Sequence, residues 1–245
     1  MQILISCAKT MGFVQADIPY SSEPAFASRA AANVALLAEM DAPRLQKALH
    51  TTAKIAAENV LRYRHFFDAC NREVPALMAY NGIVFKQISA DTLSRADLEY
   101  AQKHLFITSF LYGLLRPFDK IRPYRLEGSV RLPDGDGPTR FEYWQPLLTD
   151  MLIDAVKADD GILVNLASSE MKRLFDWKRV CREVKVLTPD FKVMQEGQWR
   201  TVVVYTKMCR GQMTRFMLEQ HPSVPEDLCR FEADIEGAAA VTEIK

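Results

Sequence analysis

Apolar positions along this chain recur in two rhythms, and the alternation between them predicts strands and helices interspersed from end to end. Gln2–Ile5 is a short apolar run, read as a strand, that opens straight into the small polar loop Ser6-Cys-Ala-Lys-Thr10. Beyond a loop carrying Pro19 and Pro24, Ala25–Met40 reads as a helix. Across Thr52–Asn71, the residues Ala53, Ala56, Val60, Tyr63, Phe67 and Cys70 alternate spacings of three and four, the stripe of one buried helix face. Pro75–Tyr80 reads as a strand ending in Asn81-Gly82. Arg95–His104 reads as a helix with Ser94 as its N-cap, and Leu105–Phe110 fits strand or helix. Arg125–Leu132 reads as a strand, followed by a surface turn over Pro133–Pro138.

The second half continues the mixture. Glu142–Ala158 is a helix with Trp144, Leu148, Met151 and Ala155 on one face, and Ile162–Leu166 is an apolar strand opening into Ala167-Ser-Ser-Glu170. Val184–Leu187, Phe191–Gln195 and Trp199–Tyr205 read as strands, with Glu196-Gly197 turning the last pair. A helix follows from Thr206 to Gln220. The pattern implies an α/β or mixed α+β chain: one mixed sheet with surrounding helices.

The length, 245 residues at 49% hydrophobic and 25% charged, fits a single domain over residues 1–245 with ample core. Lys and Arg number 31 against 31 Asp and Glu, so any anion site has to come from local clustering. Between Tyr112 and Arg131 there is such clustering: Arg116, Lys120, Arg122, Arg125 and Arg131 face only Asp119 and Glu127. The first residues lack a basic segment, and the longest apolar stretch, Ala30–Ala38, falls short of the ~20 residues of a membrane helix. Five cysteines without a Cys-x-x-Cys pair fit a reducing compartment. A cytoplasmic protein with no membrane partner is expected.

Four stretches carry candidate chemistry. Gly113 can take the positive φ that closes a helix, and Pro117 turns the chain beside Arg116, which suits a phosphate or simply caps a helix. Arg122, Tyr124 and Arg125 add guanidinium groups and a ring able to stack on an unpaired base. On the helix from Thr206, at about 100° per residue, Arg210, Gly211, Thr214 and Arg215 fall within roughly 80° of Lys207. That face is either a ligand surface around a glycine or a solvated basic stripe with a packing glycine. Lastly, Ser6 and Lys9 after the first strand, with Asn165, Ser168 and Glu170 after another, stand where open sheets gather ligands. Ser168 also fits a plain N-cap, and neither loop matches a phosphate-binding or dinucleotide glycine pattern. His50, His65, His104 and His221 show no metal-ligand spacing, and Asp134-Gly-Asp136-Gly lacks a later bidentate glutamate. No metal and no cofactor are expected. Cys7 and Cys209 lie near cations but read as buried, inert thiols.

Taken together, Ser6-Cys-Ala-Lys-Thr10, Leu111-Tyr-Gly-Leu-Leu-Arg-Pro-Phe-Asp119, Pro123-Tyr-Arg-Leu-Glu127, Phe141-Glu-Tyr-Trp144, Asn165-Leu-Ala-Ser168 with Glu170, and the run from Tyr205 to Phe216 resemble the YaaA family of bacterial peroxide-stress proteins. The resemblance implies a cytosolic oxidative-stress protein with a positively charged cleft, DNA binding, and a role in limiting iron-dependent damage. Its helix-hairpin-helix-like element would correspond to the Gly113 turn. The family's closing aromatic segment is replaced here by Phe231-Glu-Ala-Asp-Ile-Glu-Gly237, so the closing strand is expected to be missing or altered.

These readings converge on a basic cleft that binds duplex or structured DNA through its phosphates. Lys9, Arg116, Arg122, Arg125, Lys207, Arg210 and Arg215 are the expected contacts, and Lys9, Arg125, Lys207 and Arg210 are expected to share one concave surface. The alternative is an enzyme acting on a nucleotide or nucleobase with Ser6, Lys9, Asn165, Ser168 and Glu170, where Glu170 transfers a proton if burial suits it to that task. A closed pocket the size of one nucleotide favours the second, and an open groove favours the first.

Overall fold

A computed structural model describes residues 1–12, 18–133, 136–236 and 239–245. In chain order the elements are β1 (Gln2–Ile5), α1 (Ala27–Ala38), α2 (Ala42–Leu49), α3 (Ala53–Arg64), β2 (Val74–Pro75), α4 (Ala76–Ala79), α5 (Ile83–Ile88) and α6 (Arg95–His104). Next come β3 (Leu105–Ser109), β4 (Gly113–Leu115), β5 (Lys120–Ile121), α7 (Arg140–Ala158), β6 (Ile162–Asn165), α8 (Ser169–Lys172) and α9 (Trp177–Glu183). The chain closes with β7 (Lys185–Leu187), β8 (Pro189–Gln195), β9 (Gln198–Arg200), α10 (Val203–Gln220) and β10 (Ala240–Ile244).

The main sheet has the order β4-β3-β1-β6-β7. β1 pairs in parallel with β3 on one side and β6 on the other, β7 is parallel to β6, and β4 folds back antiparallel on β3. Every residue of β1 and β3 is buried, as central parallel strands covered on both faces must be. Trp144 of α7 is fully buried and ties the helix to the β3–β4 turn by donating from Nε1 to the Phe110 carbonyl at 2.8 Å. The expected mixed sheet flanked by helices is present, and α6 begins at Ser94 with a complete capping box.

Several elements differ from the sequence reading. α3 stops at Arg64, because the chain turns at His65 and buries Phe66, leaving Phe67 and Cys70 exposed. Where a strand over Pro75–Tyr80 is expected, Ala76–Ala79 forms one helical turn. The Ala76 and Leu77 amides there donate outward to the Asp119 and Pro117 carbonyls. Arg125–Leu132 is irregular rather than a strand; Gly128 sits directly beneath the Phe141 ring, where no Cβ fits. β9 ends at Arg200, and the β-branched run Val202-Val203-Val204 starts α10 instead of prolonging the strand. The closing strand is present: β10 pairs antiparallel with β8 over Ala240–Ile244. The expected turn over Pro133–Pro138 falls partly on residues 134–135, outside the described residues.

The Gly113 turn also differs. It joins two strands and caps no helix, so no helix-hairpin-helix is built there. Gly113 opens β4 opposite Ser109 with φ +80, and a Cβ would lie 2.9 Å from Trp144, so both the turn and the packing call for glycine.

Candidate functional site

β1 leads away toward β3, whereas its neighbour β6 leads the opposite way toward β7. Adjacent parallel strands whose connections diverge leave a crevice beyond their carboxyl ends, the usual ligand position in open sheets. The Leu166 amide donates to the Leu4 carbonyl at 2.9 Å, extending the ladder past β6. Beyond it, the Ser168 amide donates to Ser6 Oγ at 2.9 Å, stapling the two loops together. The Cys7 amide donates to Thr108 Oγ1 of β3 at 3.2 Å. Above these loops lies a cavity of about 430 Å³.

Lys9, Arg125, Lys207 and Arg210, far apart in sequence, all line this cavity. Two are paired: Lys9 Nζ lies 2.7 Å from Glu127 Oε2, and Arg125 Nη2 lies 3.2 Å from Glu127 Oε1. Arg125 Nε is buried without a partner. Lys207 and Arg210 have no carboxylate partner among the described residues, and partial burial pulls the Arg210 guanidinium below its ordinary range. One wall is apolar, with Phe85, Phe110, Leu126 and Met171 contributing.

Ser6, Ser168 and Glu170 also border the cavity. Glu170 is exposed, so the burial on which its proton-transfer role depends is absent. Asn165 is buried behind the loop, accepting from the Ala167 amide with Oδ1 and reaching Thr188 Oγ1 with Nδ2; it shapes the turn and does not line the cavity.

Three arginines expected at the site are engaged elsewhere. Arg116 lies 3.5 Å over the Phe106 ring and donates to Gln2 Oε1 and the Leu105 carbonyl, and burial lowers its pKa to about 10. Arg122 pairs with Glu73 at 2.9 Å and donates to the Asn71 carbonyl. Arg215 donates from Nη1 to the Ile88 and Ser89 carbonyls at 2.8 and 3.1 Å, capping the end of α5, and pairs with Glu219. Gly211 faces α5 rather than a ligand: a Cβ there would collide with the Val84 carbonyl and approach Gln87 Cβ to 2.5 Å. Tyr124 lines the cavity but is 5% exposed and hydrogen-bonded, which leaves no open ring face for stacking.

Sequence reasoning misses the wall supplied by α5, where Ile83, Val84 and Phe85 line the cavity. The available signal is Asn81-Gly82: Gly82 sits just before α5, and a Cβ there would lie 2.9 Å from Ala8 Cβ in the first loop. The reading of both thiols as buried holds for Cys209, whereas Cys7 is half-buried at the cavity edge. Burial, above all, pushes Cys7 up to about 12 and Cys209 up to about 11. Among the described residues no three His, Cys, Asp or Glu side chains gather as metal ligands, and no helix is long and apolar enough to cross a membrane.

A family model described as peroxide stress protein YaaA matches residues 1–237. The chain belongs to the YaaA family of peroxide-stress proteins. Relatives carry the name UPF0246 protein. One from Phocaeicola vulgatus is 49% identical over 94% of this chain and 91% of its own length. One from Bacteroides fragilis is 50% identical over 94% and 90%. A more distant one, from Aliivibrio fischeri, is 34% identical over 96% and 91%. The YaaA match spans both strand-end loops, α5 and α10, and therefore every wall of the cavity.

Proposed function

We propose that this YaaA-family chain serves the peroxide-stress response by binding a phosphate-bearing nucleotide unit in the cavity beyond β1 and β6. The observation that carries this reading is the pair Lys207 and Arg210, two cations lining the cavity, neither ion-paired with a carboxylate among the described residues. Partial removal of a guanidinium from water is costly unless an anion accompanies it. The apolar wall of Phe85, Phe110 and Leu126 suits a base, and about 430 Å³ lies in the range of small-molecule sites.

DNA binding enters this reading in a narrower form than a duplex groove. One unstacked nucleotide would occupy the cavity, while Lys9 and Lys207, both exposed at its edge, meet adjoining phosphates. Cytoplasmic action is supported by five cysteines that are all free. The limiting of iron-dependent damage is what the family resemblance implies. An enzymatic alternative would draw on Ser6 and Ser168 at the cavity edge; Glu170 is exposed there, which removes the burial that would suit it to proton transfer.

Calorimetric titration with deoxynucleoside 5′-monophosphates, single-stranded and duplex oligonucleotides tests the proposal. Mononucleotides and single strands should bind, with single-strand log K falling against log salt by about 0.7 per phosphate contacted. Lys207→Ala and Arg210→Ala should each weaken binding by roughly tenfold or more, the worth of a charge-assisted hydrogen bond. Duplex binding that exceeds single-strand binding and ignores both substitutions would refute it.

A further inference from the structure

Tyr124, at the cavity edge, belongs to a buried hydroxyl trio with an imbalance of hydrogen-bond donors. Tyr124 Oη lies 2.8 Å from Tyr80 Oη and 2.6 Å from Ser109 Oγ, and Ser109 Oγ also accepts the Tyr112 amide at 2.9 Å. All three hydroxyls belong to buried residues. Three hydroxyl groups bring three protons, but two contacts among them use only two. Among the described residues none of the three donates to any other acceptor, so one proton is directed out of the trio.

Cost excludes one of the three possible arrangements, and of the other two one sends the spare proton to the cavity. Donation from Tyr124 to Ser109 strands the spare proton on Ser109, which is 0% exposed and lines neither this cavity nor the smaller hollow beside Tyr80; it then bears the full penalty of an unpaired buried donor. Donation from Tyr124 to Tyr80 sends it toward a smaller hollow of about 200 Å³ that Tyr80 borders. Donation from both neighbours to Tyr124 balances Ser109, fills both lone pairs of Tyr124 and frees the Tyr124 proton. Tyr124 alone of the three borders the cavity that also holds Lys207 and Arg210.

We propose that Tyr124 presents its hydroxyl to the cavity as a specificity-determining donor, selecting ligands with a carbonyl oxygen or ring nitrogen at the end remote from the phosphate. This rests on the nucleotide reading: Lys207 and Arg210 take the phosphate, and Tyr124 reads an acceptor on the base edge. Accepting two hydrogen bonds polarises the Tyr124 O–H and strengthens it as a donor. Burial, chiefly, holds this phenol well above its ordinary range, so the proton stays in place at physiological pH.

The test compares three ligands by calorimetry: a natural deoxynucleoside 5′-monophosphate, a C-nucleotide carrying phenyl in place of the base, and ribose 5-phosphate. Wild type should bind the natural nucleotide about five- to tenfold more tightly than the phenyl analogue, the worth of one neutral hydrogen bond. Tyr124→Phe should erase that preference and leave ribose 5-phosphate within about twofold. Tyr80→Phe should preserve the preference. Equal affinity of wild type for natural and phenyl nucleotides overturns the proposal even if Tyr124→Phe does not fold. Loss of the preference in Tyr80→Phe but not in Tyr124→Phe overturns it too. Failure of wild type to bind any of the three phosphates overturns the nucleotide reading itself, and this inference with it.

Discussion

Replacing Gly211 with alanine isolates the contact that holds the two helical walls of the cavity together. In an isolated helix the change should stabilise, since a mid-helix glycine is about 1 kcal/mol less favourable than alanine. Here the new methyl would meet the Val84 carbonyl at less than van der Waals separation and Gln87 Cβ at 2.5 Å. A backbone carbonyl cannot rotate aside as a side-chain tip can, so α5 must shift relative to α10. Overpacking costs about 1–3 kcal/mol, and so close an approach to a backbone carbonyl oxygen puts this case in the upper part of that range, about 2–3 kcal/mol. Set against the helix-propensity gain, the net expectation is a loss of about 1–2 kcal/mol, with the sign fixed by the backbone contact. For a chain of this size that is a fall in Tm of roughly 2–8 °C. Thermal unfolding by circular dichroism and a urea titration with unchanged slope measure it. Because α5 brings Val84 and Phe85 to the cavity, nucleotide affinity should fall as well. A Gly211→Ala protein with an unchanged or higher Tm would show that the helices do not meet as closely as described.

Two further outcomes follow from the titratable groups. With iodoacetamide, the exposed Cys70, Cys181 and Cys229 should react before Cys7, whose thiol, pushed up to about 12 from 9.0, has roughly a thousandfold smaller thiolate fraction; peptide mass mapping that finds Cys7 modified alongside Cys70 would contradict the burial argument. Hydrogen bonds from Lys157 and then Arg179 lower the Glu183 pKa to about 2 from 4.5, so its contribution is complete above pH 4.5 and is lost as pH falls through 2. The urea midpoints of wild type and Glu183→Gln should therefore differ by a constant amount at neutral pH and converge below pH 4.5; a gap that persists toward pH 2 would rule out this pairing.

The elements most legible in the sequence are those whose signal is local. β1 and β6 are short apolar runs bounded by small polar loops, and α6 announces itself by the capping box at Ser94. Their placement at diverging connections brings Ser6, Lys9 and Ser168 together, so this half of the site follows from chain order and pattern alone. What is not legible depends on partners distant in sequence. Pro75–Tyr80 looks like a strand by composition, but outward hydrogen bonds to the Asp119 and Pro117 carbonyls curl it into a helical turn.

The misread elements and the misplaced arginines share a cause. Arg215 lies on the predicted face of α10 beside Lys207, yet it is taken by the end of α5, a helix too short to register as a periodic pattern. Arg122 is taken by Glu73, which precedes the misread strand. Arg116 is held by Gln2 and by the ring of Phe106 on two neighbouring strands of the main sheet. A guanidinium has the same appearance in sequence whether its counter-charge comes from the fold or from a ligand; only the inventory of its partners separates the two. By that inventory Arg210 stands apart from the others: partly buried, on the cavity wall, with no carboxylate supplied by the described residues. On the reading proposed above, a ligand anion completes its pairing, so substitution of this one residue discriminates best between a structural cation and a binding one.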